Sequence, residues 1–250
     1  MIDNKKVIAL CILHYGKEYL SAAIQAVYPV SDEIVLVYTA KPSHGKGTDE
    51  KCPETKKELI EEAKKYDPDN KVFFTEGTFG NEGEHRGNSE ELCRQRGAEI
   101  IIRFDTDEVW DTESLKESLK IVSGSDCKYF GIGHFVNFWK SFNHACYDSF
   151  APVRLININS ETNKEASIIG TIYHFSCAQS DITMRYKYLI HGHKDELRPN
   201  WLEETYFNWK EGQNDLHMTS IGLWNATPFD KNTLPDILKS HPNFNLNLIK

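Results

Sequence analysis

Two continuous apolar runs, Val7-Ile8-Ala9-Leu10-Cys11-Ile12-Leu13 and Ile34-Val35-Leu36-Val37-Tyr38, flank a segment carrying Leu20, Ala23, Ile24 and Val27 at helical spacing. A run without polar alternation marks a strand buried on both faces, and two such strands joined by a helix-length crossover lie parallel. Parallel strands occur in sheets covered by helices, so the first forty residues already restrict the chain to an α/β fold. Tyr28-Pro29 ends the helix, because the residue before a proline is pushed out of the α region.

The alternation continues. A polar loop over 39–52 carries Pro42, Gly45 and Gly47, and 53–66 reads as a charged helix with Leu59, Ile60 and Ala63 inward, closed by Asp67-Pro68-Asp69-Asn70. A third strand is expected over 71–75, then a glycine-rich loop over 77–87 and a helix over 89–97 capped by Asn88 or Ser89. The fourth strand, 100–104, runs directly into Asp105-Thr106-Asp107-Glu108, and a helix over 112–122 follows with Asp111 as its cap. Beyond residue 125 the pattern loosens into strands over 129–136, 152–158 and 168–175, with helices over 180–189, 201–209 and 234–239. No repeat or linker interrupts the 250 residues, which predicts one domain over 1–250.

The formal net charge is −8, with most of the acid excess in residues 1–125 and most of the aromatic rings, read first as core, in residues 126–250. That balance argues against a nucleic-acid partner or a polybasic membrane surface. No apolar run approaches the roughly 20 residues of a membrane span, and the first residues lead into a strand rather than a signal-peptide core. The six cysteines are scattered without a close pair, which points to ordinary buried thiols in a reducing, cytoplasmic setting.

Asp105-Thr106-Asp107 is the strongest chemical signal. In an open parallel sheet the ligand crevice lies at the carboxyl ends of the strands. Two carboxylates one residue apart at such an end suit Mg²⁺ or Mn²⁺, which take one or two carboxylates together with substrate phosphates. The competing reading is a helix cap, a task Asp111 already fills.

With this order of elements the sequence resembles the GT-A-fold glycosyltransferases, especially the family-2 type. Val7 to Tyr15 followed by Glu18-Tyr19-Leu20 resembles that family's first strand and nucleotide loop, and Asp32-Glu33-Ile34-Val35-Leu36-Val37 its second strand. Arg86-Gly87-Asn88 with Ala98 leads into the fourth strand as the family's Arg-Asn segment does, and Asp105-Thr106-Asp107-Glu108 resembles its metal motif. The likeness covers about residues 5–125. It implies a Rossmann-like, mostly parallel central sheet flanked by helices, with a mixed α+β acceptor part. Residues 1–125 would then be the nucleotide-sugar half and 126–250 the acceptor half. It further implies metal-dependent, inverting transfer of a sugar from a UDP-, GDP- or dTDP-sugar to a hydroxyl of a glycan or glycoconjugate. Asp107 would bind Mn²⁺ or Mg²⁺, and Asp105 the metal through water or the donor ribose. Arg86 would hold the diphosphate, and Tyr15 and Tyr38 would line the nucleotide site. Tyr38-Thr39 departs from the pattern, since the family usually ends this strand in an aspartate that reads the base.

In the second half, Val153-Arg154-Leu155-Ile156 and Gly170-Thr171-Ile172-Tyr173-His174-Phe175-Ser176 resemble the acceptor half of lipopolysaccharide-core-type members, with Phe175 where glutamate often stands. His174 would complete the metal shell or touch the diphosphate; its alternative is a buried core histidine. His191-Gly192-His193-Lys194-Asp195-Glu196 offers either a zinc pair or a loop closing over the donor. Inverting transfer needs a carboxylate to take the acceptor proton; Asp148, Asp181, Asp195 and Glu196 are candidates, and Asp195 is preferred. Two rival readings remain open. Asp105 to Val109 also fits the nucleophile motif of haloacid-dehalogenase-type phosphatases, and a GT-A-like domain could bind a nucleotide or glycan without turnover.

Overall fold

The computed structural model describes residues 2, 4–43, 48 and 50–250; Gly45 and Gly47 of the expected loop lie outside them, as does the side chain of Lys194. The chain divides into two compact units. One comprises Met1–Ser43, Glu54–Phe135 and Ser149–Tyr173, the other His44–Pro53, Val136–Asp148 and His174–Lys250.

The first unit is built on strands β1 (Val7–Leu13), β2 (Glu33–Thr39), β3 (Val72–Gly77) and β4 (Ile100–Arg103), which lie parallel in the order β3-β2-β1-β4. A short strand β5 (Glu108–Trp110) follows, and β6 (Tyr129–Trp139) begins here. Strand β8 (Val153–Asn157) adds to β4 antiparallel, with Ile102 opposite Leu155, and pairs with the start of β6 through an irregularity at Gly131. Strand β9 (Glu165–Cys177) pairs with β5. The result is the expected mostly parallel sheet with helices packed on it.

Strand alternation places Ile8, Leu10, Val35, Val37 and Ile101 on one face, where they pack with Cys93 and Ala98. The intervening residues, such as Ala9, Cys11, Leu36 and Ile102, point to the other face and are equally buried. Local chemistry sets the helix starts. In α2 (Lys56–Lys64), Thr55 and Glu58 form a reciprocal capping box, worth about 1 kcal/mol. In α4 (Thr112–Ser123), Asp111 Oδ1 accepts from the Ser114 N–H at 2.8 Å, the cap read from the sequence. Helix α1 (Lys17–Val27) has no side-chain cap of its own; Gly16 precedes it with φ +110°.

Helix α3 corrects the sequence reading. It spans Glu82–Gln95 with Asn81 as its cap, so most of the expected glycine loop is helix. His85 explains the early start. Its Nε2–H donates to the Val37 carbonyl at 2.9 Å, its Nδ1 accepts from Ser43 Oγ at 2.8 Å, and Phe79 stacks on its ring at 4.1 Å. These contacts tie the first turns of α3 to β2 and outweigh the low helix propensity of Gly83 and Gly87.

The second unit holds the end of β6, β7 (His144–Cys146) and β10 (Thr227–Pro228), paired antiparallel in that order. With them come α5 (Asp181–Leu189), a π-type turn over Leu202–Phe207 and α6 (Asp236–Lys239). Its core is aromatic: Trp139 lies 5.9 Å from Trp201 and 5.5 Å from Tyr206, edge to face. Phe138 stacks on Phe175 at 4.7 Å. No helix among the described residues is long and apolar enough to cross a membrane.

Gly87 sits in the interior of α3, and a Cβ added there would meet nothing within 4 Å. Gly87→Ala is therefore expected to stabilise the protein by about 0.5–1 kcal/mol, measured as a rise in the urea midpoint at constant slope.

Candidate active site at the carboxyl end of the parallel sheet

Strands β1, β2 and β3 step outward in one direction, whereas β4 starts on the other side of β1. The switch point therefore lies between β1 and β4, where a crevice opens outside the carboxyl ends of an open α/β sheet. The loops leaving these two strands carry His14-Tyr15-Gly16 and Asp105-Thr106-Asp107. They approach so closely that a Cβ on Gly16 would stand 1.9 Å from Thr106 Oγ1. Only glycine serves there, on steric grounds and because of its positive φ.

The loop after β1 is fixed by two further contacts. His14 Nδ1–H donates to the Thr39 carbonyl at 2.8 Å, and burial lowers the pKa of this imidazole. The Glu54 carboxylate accepts from the Gly16 and Lys17 N–H groups at 2.6 and 2.9 Å, placing a protein anion at the N-terminus of α1. Burial raises the Glu54 pKa, and the two N–H bonds only partly offset this.

Around the acidic motif the charges interlock. Asp105 Oδ2 accepts from Arg154 at 3.0 Å, and its Oδ1 lies 3.6 Å from Arg86. Arg154 also grips Glu108 through Nε at 2.7 Å and through a second, shorter contact from the Nη2 that meets Asp105. Glu108 is 1% exposed. Burial pushes its carboxyl up, Asp105 and Asp107 add to the rise, and Arg154 pulls it back. Burial alone would lower the Arg154 pKa, but Glu108 and then Asp105 hold it above its ordinary value. Arg86 is anchored by Glu82 at 2.8 Å. Asp107 is 8% exposed at the end of the same turn.

Of the residues singled out in the sequence, Asp105, Asp107 and Arg86 thus meet in the first unit. Tyr38 is buried at the end of β2 and stacks on Phe74 at 5.9 Å, while Tyr15 is half-buried beside His14 at 6.1 Å. The remaining candidates belong to the second unit. His174 Nδ1–H donates to Asn137 Oδ1 at 2.7 Å. Asp148 accepts from Trp224 Nε1 at 2.7 Å, and Asp181 lies 3.5 Å from Lys140 Nζ. Asp195 is exposed on the turn Lys194–Glu196, and Glu196 is bonded by His193 Nδ1 at 3.0 Å. The His191 and His193 rings lie 6.0 Å apart.

Among the described residues no three His, Cys, Asp or Glu side chains are grouped to hold an ion. The donor set at the end of β4 is oxygen only. It fits a hard divalent cation of the kind that one or two carboxylates share with substrate phosphates, rather than a cage built by the protein alone. Sequence reasoning did not assign Glu54 or the Arg154–Glu108 pair. A lone arginine inside the otherwise apolar run Val153-Arg154-Leu155-Ile156 was the signal for the pair.

No protein-family model matches the chain, and no curated protein matches it significantly. Solved structures do resemble it. TarS 1–349 from S. aureus in complex with UDP is 11% identical with a TM-score of 0.44, covering 74% of this chain and 64% of that one. The mannosyltransferase PcManGT from Pyrobaculum calidifontis, in complex with GDP-Man and Mn²⁺, is 13% identical with a TM-score of 0.40, covering 61% and 44%. Glucosyl-3-phosphoglycerate synthase from Mycobacterium tuberculosis, with Mn²⁺, UDP-glucose and phosphoglyceric acid, is 9% identical with a TM-score of 0.35, covering 53% and 44%. The chain spans less than two thirds of the length of each.

Two outcomes test this geometry. Gly16→Ala combines a left-handed φ with the clash against Thr106 and is expected to cost more than ~1 kcal/mol; wild-type urea stability would show that the two loops do not touch. Glu54, with its pKa raised, favours the protonated folded state, so its contribution to stability falls as pH rises from the ordinary carboxylate value through the raised one. Glu54→Gln should flatten that part of the stability–pH curve, read from thermal melts at a series of pH values.

Proposed function

We propose that this protein is a metal-dependent glycosyltransferase of the GT-A type, moving a sugar from a nucleotide-sugar donor to a hydroxyl of a glycan or glycoconjugate. The observation that carries the reading is the position of Asp105 and Asp107. They stand at the carboxyl end of β4, beside the loop that leaves β1, at the switch point of a parallel sheet. Asp107, with Asp105 beside it, would hold Mn²⁺ or Mg²⁺. Such an ion offsets the charge that develops on a departing nucleoside diphosphate.

The protein's own groups supply the rest. Arg86, anchored by Glu82 and within 3.6 Å of Asp105, offers a charge-assisted contact to the diphosphate. Tyr15 and Tyr38, on the loop after β1 and at the end of β2, are proposed to border the nucleoside. Residues 126–250 are proposed as the acceptor-binding half. Transfer with inversion needs a carboxylate that accepts the proton of the attacking hydroxyl, and the accessible Asp195 is proposed for it. The scattered cysteines go with a cytoplasmic setting.

The phosphatase alternative requires Asp105 as a nucleophile after the first strand of its domain. Here three parallel strands precede the motif and two guanidinium groups flank Asp105, which weighs against it.

UDP-glucose and GDP-mannose, the donors named with two of the similar structures, are the first to screen for Mn²⁺-dependent hydrolysis. Asp107→Ala is expected to lower metal-dependent turnover at least 100-fold, on the order of the loss on removing one transition-state contact. Near-normal turnover in that variant would refute the assignment.

A further inference from the structure

We infer that Arg154, braced by the buried Glu108, is a positioning residue that fixes the Asp105 carboxylate for donor binding. The inference rests on the transferase reading above and deepens it, because it assigns a task to two residues which that reading leaves without one.

The two guanidinium groups beside Asp105 differ in kind. Nearly all of Arg154 is engaged inside the protein. Its Nε and one terminal nitrogen face Glu108, the same terminal nitrogen meets Asp105 Oδ2 at 3.0 Å, and the other meets the Val153 carbonyl at 3.4 Å. Its side chain is 13% exposed. Arg86 has a single close partner in Glu82, sits 3.6 Å from Asp105 and is 30% exposed. One cation is built in, and the other can reach a ligand.

Glu108 completes the brace. Fully buried, it cannot contact a substrate, and its partner arrives from β8, 46 residues further along the chain. The Asp105 N–H donates to Glu108 Oε2 at 3.2 Å, and the Glu108 N–H donates to the Asp105 carbonyl at 3.1 Å. Asp105 is thereby held at its backbone and at one carboxylate oxygen by a closed set of bonds. A planar fork that bridges two carboxylates is a task for arginine; a lysine ammonium is a point charge that cannot span both. A carboxylate fixed in advance reorganises little when donor and metal arrive.

The test is a double-mutant cycle. Binding of UDP with MnCl₂ is measured by calorimetry for the wild type, Arg154→Lys, Asp105→Asn and the double variant. Arg154→Lys is expected to weaken binding about tenfold when Asp105 is present and to have no further effect when it is Asn. An unchanged Kd for Arg154→Lys, or an equal loss in both backgrounds, overturns the inference and leaves the transferase reading standing. Failure of the wild type to bind UDP or GDP with either Mn²⁺ or Mg²⁺ overturns both. Because a lone buried charge can unfold the protein, Arg154→Met is compared with Arg154→Met combined with Glu108→Leu. Removing both charges should restore the melting temperature without restoring UDP affinity; recovery of the two together would mean that the pair is merely structural.

Discussion

The pairing of β1 with β4 is the constraint on which the rest of the site depends. The two strands come from residues almost a hundred apart in the chain, yet their register sets Leu10 opposite Arg103. The loops that follow are therefore forced to share one small volume. Gly16 makes that possible by having no side chain, and Thr106 fills the space so created. The acidic motif is held against β1 by packing, with both strands buried on both faces. Its placement follows from the strand order as much as from its own residues.

Charge is the second organising element. Four carboxylates, Glu82, Asp105, Asp107 and Glu108, accompany two guanidinium groups at the end of β4. Taking an ion pair such as Glu108–Arg154 out of water costs several kcal/mol per ion before attraction repays it. The pair is therefore weak evidence of a contribution to stability and better understood through what it orients. The carboxylates outnumber the guanidinium groups, an excess of the sign that a divalent cation would offset.

Much of this architecture was legible in the sequence. The four parallel strands stand out as apolar runs, and Asp111 caps α4 where a short polar residue precedes an apolar periodicity. Asp105-Thr106-Asp107 directly follows β4, as its place in the sequence indicates. Helix α3 was not legible at its start, because its first two turns contain two glycines and bury only His85, whose partners Val37 and Ser43 lie more than forty residues earlier. The same distance in sequence hid Glu54 at the start of α1 and Arg154 beside Glu108. Local propensity has no access to a contact between residues 38 or 46 apart. The aromatic wealth of the second half turned out to be largely core, with Trp139, Trp201, Tyr206, Phe138 and Phe175 almost fully buried.

Glu54 already occupies the start of the first helix. The amide groups of Gly16 and Lys17 already point at a carboxylate of the protein itself, so the positive end of that helix is neutralised before any solute arrives. On the proposed function, a phosphate in the crevice would gain little from the helix dipole there. On the same reading its countercharge would come from the far side of the switch point, from Arg86 and from a cation held by the acidic turn. On that function, preference for a metal-borne anion over a bare one would be written into a carboxylate that stoppers the helix end, 38 residues away in the chain from the Gly16 amide it occupies.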